Sequence, residues 1–225
     1  MSLPTTRQQL CDRMDLGETF DLLLFYGHKP PKSGVDKSCF SQWFVREFSV
    51  DSISYPTAEH WMMAEKARLF GDTEMLNNIL NSASPRDAKA FGRQVRDFDS
   101  DVWDKHKFEI VVRGNEEKFS QHKDMADFLV ATGNTNSLAG DIFTAYREQD
   151  LSLVAEPRVD YKVHGAGSES RVILVEAAGR DCVWGIGYGE KNPKAIQPLQ
   201  WRGQNLLGFA LTVVREQLAD DLNRT

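Results

Sequence analysis

The chain has 225 residues, of which 41% are hydrophobic and 27% charged, and its net charge is −6. This composition excludes wholesale disorder and fibrous architecture, and the length suits one domain with a full hydrophobic core. The acidic balance argues against a broad basic face for nucleic acid, although a local basic groove is compatible with it.

The three cysteines lie far apart along the chain, at Cys11, Cys39 and Cys182. Because they form no Cys-x-x-Cys pair, a disulfide framework or a structural zinc site is not expected, and we predict neither a metal nor a cofactor. Reduced cysteines are typical of a cytoplasmic protein, which is the location that we expect. The sequence contains no run of about 18 apolar residues, so we predict no membrane span. The oligomeric state stays open.

The N-terminal third alternates polar and apolar segments. Residues 1–18 are polar and form either a tail or a short helix. The compact apolar run at 19–26 predicts a buried strand. Residues 28–37 contain Pro and Gly and are expected to form a loop, and the loose alternation at 40–54 indicates one or two short strands.

Five helices are predicted in the middle of the chain. Thr57 is a suitable N-cap for the first, and Ser84 followed by Pro85 marks the start of the third. The predicted helices cover residues 58–70, 73–80, 84–95, 102–119 and 123–131.

The C-terminal part contains a weakly patterned excursion at 134–168, a strand at 171–176, a Gly-rich loop at 179–193 and a last helix from Gln204 onward. This order predicts an α+β fold, a mostly helical domain packed around a small β-sheet. We expect one domain over residues 19–220, followed by a short tail at 221–225.

Four segments contain residue types suited to chemistry. Glu59 and Lys66 are seven residues apart and therefore share a helical face; the alternative is a solvated surface helix. Asp181 begins a loop that contains Trp184 and alternating glycines. The glycines let the backbone approach a ligand closely; the alternative is a tight turn with no ligand. Arg202 precedes the last helix, whose first N–H groups could bind an anion such as phosphate. The alternative is that this segment is only a helix cap. Trp103 either stacks on a base or fills the core.

The order of these motifs resembles the NADAR superfamily, the YbiA-like N-glycosidases, which include the riboflavin biosynthesis intermediates N-glycosidases. The residues that resemble this family are Trp103 and those at 25–26, 41–44, 57–67, 84–89, 118–119, 129–133, 174–176, 181–185 and 203–208.

The resemblance implies a YbiA-like fold and hydrolysis of an N-glycosidic bond, with Glu59, Lys66 and Asp181 as catalytic residues. It implies a small-molecule substrate with a phosphoribosyl or ADP-ribosyl group. The expected substrate-binding residues are Phe25, Tyr26, Ser41, Trp103, Trp184, Arg202, Gly203 and Asn205.

Cleavage of a ribose C1′–N bond builds positive charge on the sugar, so it needs a carboxylate beside C1′ and an acid for the departing nitrogen. We expect Glu59 and Asp181 to converge on C1′ with Lys66 nearby. Lys66 is a candidate proton donor, phosphate ligand or amine nucleophile. Trp103 and Trp184 would enclose the flat ring.

Three functions fit these residues. The first is an N-glycosidase for phosphoribosylated riboflavin-pathway intermediates, and the acidic net charge favours it. The second is a hydrolase that removes ADP-ribose from modified guanine in nucleic acid, for which the series Arg86, Lys89, Arg93 and Arg96 offers a short basic track. The third is a non-catalytic module that binds ADP-ribose or a nucleotide.

Overall fold

The computed structural model describes residues 2–133, 171–222 and 224. The predicted excursion at 134–168 lies outside the described residues. The helices are α1 (Arg7–Asp15), α2 (Ala58–Leu69), α3 (Thr73–Leu80), α4 (Pro85–Gly92), α5 (Ser100–Ser120), α6 (Lys123–Ala131) and α7 (Leu206–Leu222). The strands are β1 (Asp21–Phe25), β2 (Phe48–Val50), β3 (Ile53–Tyr55) and β4 (Val172–Glu176). Short 3₁₀ helices lie at Lys37–Phe40, Pro193–Ile196 and Pro198–Gln200. The predicted α+β class is confirmed.

Side-chain caps set the starts of the central helices. The side chain of Thr57 accepts a hydrogen bond from the N–H of His60, and Ser84 does the same for Asp87. These caps satisfy backbone donors that have no partner within the helix. Helix α4 ends at Gly92, earlier than predicted, and beyond it the N–H of Arg96 donates to the Asp72 carboxylate at 2.9 Å instead of to a helical carbonyl.

Two small sheets are present among the described residues. Strands β2 and β3 form an antiparallel hairpin whose turn residues, Asp51 and Ser52, both have positive φ, at 50° and 65°. Positive φ at both central positions is typical of a type I′ turn. Strands β1 and β4 pair in parallel, with Phe25 opposite Glu176 at their carboxyl ends. The predicted small sheet is therefore divided into two.

The parallel sheet is buried on both faces, because helices and loops cover each side. Val172 and Leu174 of β4 belong to the larger core, whereas Ile173 and Val175 face the second core. This arrangement explains why β4 has a continuous apolar sequence instead of an alternating one. On the larger-core side, the buried Arg215 of α7 donates to the Val172 carbonyl at 2.8 Å and so links α7 to β4.

The N-terminal segment forms a helix that packs on the second core. Leu10 of α1 is fully buried in that core, and Arg7 donates to the carbonyls of Pro198 and Leu199 at 3.0 and 2.9 Å. Throughout the described ranges, none of the helices has the length and apolar character that crossing a membrane requires.

Candidate active site

A cleft of about 880 Å³ opens at the carboxyl ends of β1 and β4. Its lining comes from Tyr26 after β1, Lys89 on α4, Arg93 directly after that helix, and the loops at 177–181 and 189–192. Parallel strands place the loops that follow them at one edge of the sheet, where ligands commonly bind in α/β structures. The volume falls within the range of small-molecule sites.

The cleft is richer in cations than the protein as a whole. Lys89, Arg93, Arg180 and Lys191 line it, against the acidic Asp181 and Glu190. Glu190 is paired with Lys37 at 2.8 Å, so part of its charge is already balanced. A local excess of positive charge in a chain with a net charge of −6 suits an anionic ligand.

Glu59 lies in the first turn of α2 and is only 2% exposed. Its backbone N–H donates to the carbonyl of Gln42 at 2.9 Å, which ties α2 to the preceding loop. Its Oε1 atom is 3.8 Å from the Nζ of Lys89, and the Trp43 side chain is a neighbour of the carboxyl group. Burial raises the pKa of Glu59, whereas Lys89 and Trp43 act in the opposite direction. Burial is the largest of these effects, so the net result is a raised pKa.

Asp181 stands on the cleft wall in a tight turn. Its Oδ1 accepts hydrogen bonds from the N–H groups of Val183 and Trp184, at 2.9 and 2.8 Å, which fix the carboxylate in orientation. The negative charge of Asp181 helps to raise the pKa of both Glu59 and Glu176, so the three groups are electrostatic neighbours. Within the described residues, however, no group of three or more His, Cys, Asp or Glu side chains is arranged to hold a metal ion.

Glu176 is the carboxyl group that the sequence interpretation omitted. It is the last residue of β4, and its Oε2 atom is buried without a hydrogen-bond partner. Burial, followed by the charge of Asp181, raises the pKa of Glu176 to about 8. Its place at the end of a buried strand, just before the Asp181 loop, was the signal that could have identified it.

The structure does not bring Lys66 into this carboxylate group. The Nζ of Lys66 donates to the Gly92 carbonyl at 2.8 Å and lies 4.0 Å from the centre of the Phe98 ring. Burial lowers the pKa of Lys66. The cation beside Glu59 is Lys89 instead, which the sequence interpretation considered only as part of a basic series.

The aromatic residues that lie at the cleft also differ from the predicted ones. Tyr26 is exposed and lines the cleft, whereas Phe25 is 1% exposed and packs edge-on against Phe40 in the core. Trp103 and Trp184 are half-buried, pack against the larger core and are not among the cleft-lining residues. The indole close to the carboxylates is that of Trp43, whose ring centre is 5.8 Å from the Nζ of Lys89.

The other residues that were predicted to bind substrate do not line the cleft. They contact neighbouring parts of the protein instead. The Oγ of Ser41 accepts from the N–H of Trp43 at 3.1 Å. Arg202 is exposed and lies 4.8 Å from the centre of the Tyr188 ring. Gly203 packs so closely on the carbonyl of Gly185 that a Cβ atom would collide with it.

Asn205 holds the end of β4 in place. Its Oδ1 accepts from the N–H of Glu176 and its Nδ2 donates to the carbonyl of Leu174, both at 2.9 Å. Asn205 is fully buried and has a positive φ of 57°, a conformation that Asn tolerates better than most residues. Its amide therefore positions Glu176 and is not available to a ligand.

A family model described as the NADAR domain matches residues 24–139 and 168–219. The chain belongs to the NADAR domain family. The chain is also similar to N-glycosidase R617 of Acanthamoeba polyphaga mimivirus, with 33% identity over 205 residues that cover 89% of this chain and 98% of the relative. N-glycosidase YbiA of Escherichia coli is 26% identical over 184 residues, which cover 82% of this chain and 81% of the relative. The predicted class of enzyme, a glycosidase acting on N-glycosyl compounds, is confirmed at this general level.

The NADAR fold is supported by a solved structure as well. The NMR structure of the Escherichia coli protein YbiA aligns with this chain at a TM-score of 0.60 and 22% identity. The alignment covers 92% of this chain and 90% of that one. At this level of identity the likeness concerns the fold, and it agrees with the predicted YbiA-like architecture.

Proposed function

We propose that this NADAR chain hydrolyses the C1′–N glycosidic bond of phosphoribosylated riboflavin-pathway intermediates. The observation that supports this function best is the position of Glu59 and Asp181, two acids far apart in sequence, beside one cation-lined cleft. An N-glycosidase needs carboxylates at the sugar carbon, and a phosphorylated sugar needs cations a few ångströms away.

The cations provide the phosphate subsite in this proposal. Arg93, Arg180 and Lys191 line the cleft and carry no ion pair in the described part of the chain. Guanidinium groups bind phosphate oxygens through paired hydrogen bonds, whereas an ammonium group acts as a point charge. A 5′-phosphate held there would direct the ribose towards the carboxylates.

The two carboxylates have different roles at C1′. Asp181, oriented by two backbone N–H groups, would stabilise the positive charge that develops on the ribose. Glu59, which Lys89 and Trp43 help to keep ionised, would accept a proton from the attacking water. Its raised pKa makes Glu59 a stronger base than an ordinary carboxylate.

The flat leaving group needs an aromatic surface. Tyr26 lines the cleft and the Trp43 ring lies near Lys89 and Glu59, so a pyrimidine-type ring would contact these two side chains instead of the predicted Trp103 and Trp184. Stacking on such rings contributes about 0.5–1.5 kcal/mol beyond the burial of area.

The test is incubation of the purified protein with a 5′-phosphoribosylated aminopyrimidine and with an ADP-ribosylated guanine oligonucleotide, followed by mass spectrometry of the released base. Glu59→Gln and Asp181→Asn should each lower kcat on the first probe by at least about 100-fold. Glu109→Gln, on the exposed face of α5, is the matched control and should keep wild-type turnover. Wild-type turnover in both site variants would show that the assignment is wrong.

The second candidate, removal of ADP-ribose from modified guanine in nucleic acid, is favoured by one observation: Lys89 and Arg93 of the basic α4 series do line the cleft. The series is interrupted at Arg96, which binds Asp72 at 2.6 Å and Glu74 at 3.2 Å. A short cationic patch suits a small phosphorylated molecule better than a long polyanion. Release of ADP-ribose from the oligonucleotide alone would support this second candidate, and binding without release would support a non-catalytic module.

A further inference from the structure

We propose that Glu176 is a catalytic acid that gives its proton to the nitrogen leaving C1′. This assignment rests on the proposed glycosidase function and adds the proton donor that Glu59 and Asp181 do not provide. Both of those carboxylates are needed at the sugar, as the stabiliser of positive charge and the base for water. A neutral leaving base still requires a proton donor.

The position of Glu176 is set by rigid parts of the fold. It is paired with Phe25 in the parallel sheet, and its N–H is bound by the side chain of Asn205. The residues that follow the two strand ends, Tyr26 and Ala177, line the cleft, so Glu176 occupies the last strand position before the cleft wall. A catalytic group on a strand end is held more firmly than one on a loop.

Two carboxyl oxygens near the cleft are buried without a hydrogen-bond partner: Oε2 of Glu176 and Oε1 of Glu59. Buried polar atoms are nearly always paired, because an unpaired one loses its hydration without compensation. As whole residues, Glu59 is 2% exposed, whereas Glu176 is half-buried. Two such atoms beside a cleft indicate that a ligand, here the reacting substrate, supplies the missing partners.

The charges around Glu176 favour its protonated form. Asp181 approaches from the turn after β4, Glu59 from α2, and Lys89 from α4. The two carboxylates disfavour a further negative charge, and the single ammonium opposes them only in part, so burial and repulsion together raise the pKa of Glu176 to about 8. The pKa of Glu59 is raised as well, but there the largest charge effect is the opposing one of Lys89, whereas at Glu176 it is the reinforcing one of Asp181. Unequal surroundings of this kind commonly assign a base and an acid to two neighbouring carboxyl groups.

The C1′–N bond breaks and its electron pair stays on the nitrogen, which takes the proton of the Glu176 carboxyl and leaves as a neutral base. Water oxygen bonds to C1′, and the proton that it loses goes to Glu59, so the sugar product carries a hydroxyl group at C1′. Release of that proton to solvent from Glu59 and uptake of one by Glu176 restore the starting state.

The experiment is a pH profile of kcat between pH 5 and about 10, with the 5′-phosphoribosylated aminopyrimidine as the probe. Wild type should lose activity as the pH rises through about 8, because Glu176 then loses its proton. Glu176→Gln should lower kcat by about 100-fold and should lack this alkaline limb. Glu176→Asp, which keeps an acid but shortens the side chain, should retain the limb at a lower kcat. Glu109→Gln should behave as wild type.

An unchanged kcat in Glu176→Gln, or an alkaline limb that persists there, would overturn the proposal. A ¹³C NMR titration of wild type labelled at the glutamate carboxyl groups gives an independent test that needs no active variant. A carboxyl signal that titrates near pH 8 in wild type and is missing from Glu176→Gln is expected; the comparison is needed because the pKa of Glu59 is raised as well. Persistence of that signal in Glu176→Gln, or its absence from wild type, would overturn the assignment. If wild type releases no base from either probe, the proposed function fails, and the titration still decides whether Glu176 holds a proton.

Discussion

The Nζ of Lys89 lies 3.8 Å from Oε1 of Glu59, a carboxyl group that is only 2% exposed. The Lys89 side chain itself is 34% exposed and lines the cleft. This pair therefore joins a buried acid to the surface that a ligand would contact. Removing the ammonium would leave the acid buried with less compensation, which favours its neutral form.

Lys89→Met should impair the reaction more than Lys66→Met. Without Lys89, the pKa of Glu59 should rise further, so the acidic limb of the kcat/KM profile should move to higher pH. Lys66→Met loses a bond to the Gly92 carbonyl and the contacts with the Phe98 and Trp103 rings, none of which involves Glu59. Profiles of both variants on the phosphoribosylated probe measure the difference. A larger loss in Lys66→Met, with trapping of a wild-type adduct by borohydride, would return the amine role to Lys66.

Arg93→Ala should raise KM for the 5′-phosphorylated probe by about 10-fold, the amount expected for one charge-assisted hydrogen bond. The same variant should bind the dephosphorylated riboside as wild type does, since that molecule offers no anion to the cleft. Steady-state kinetics with the two probes measure both effects. An equal rise of KM for both molecules would place the phosphate away from Arg93.

Asn205→Ala should destabilise the fold by about 2–4 kcal/mol, because it leaves the N–H of Glu176 and the carbonyl of Leu174 buried and unpaired. It also places Ala at a positive φ. Urea unfolding measures the loss, with Asn77→Ala on the exposed part of α3 as the control. An unchanged free energy of unfolding with a raised KM would mean that Asn205 contacts the substrate instead.

Glu176→Gln should change how stability depends on pH. The pKa of Glu176 is about 8 in the folded chain and near the ordinary value of about 4.3 when unfolded, so the folded state binds more protons between these values. The free energy of unfolding of wild type should therefore fall as the pH rises from 5 to 8. The glutamine variant lacks this contribution and should gain relative stability towards pH 8. Parallel pH curves for wild type and variant, measured by urea unfolding, would contradict the raised pKa.

Local features of the fold were predictable from the sequence. Thr57 and Ser84 cap their own helices through bonds to residues three positions ahead, so short sequence windows contain the complete interaction. The apolar runs within β1 and β4 were also identifiable, because burial on both faces leaves four consecutive apolar residues in each strand. Their parallel pairing joins residues about 150 positions apart, so neither run by itself could predict it.

The sequence by itself determined the strands, the helices from α2 onward, the likeness to the NADAR family and the candidates Glu59 and Asp181, since each depends on neighbouring residues or on the order of motifs. Only the tertiary structure decided that Lys89 instead of Lys66 lies beside Glu59, and that Glu176 joins the acids. The reason is physical. A shared face on one helix does not specify which neighbouring helix covers it, and the pKa of a carboxyl group depends on burial and on charges brought in by other elements.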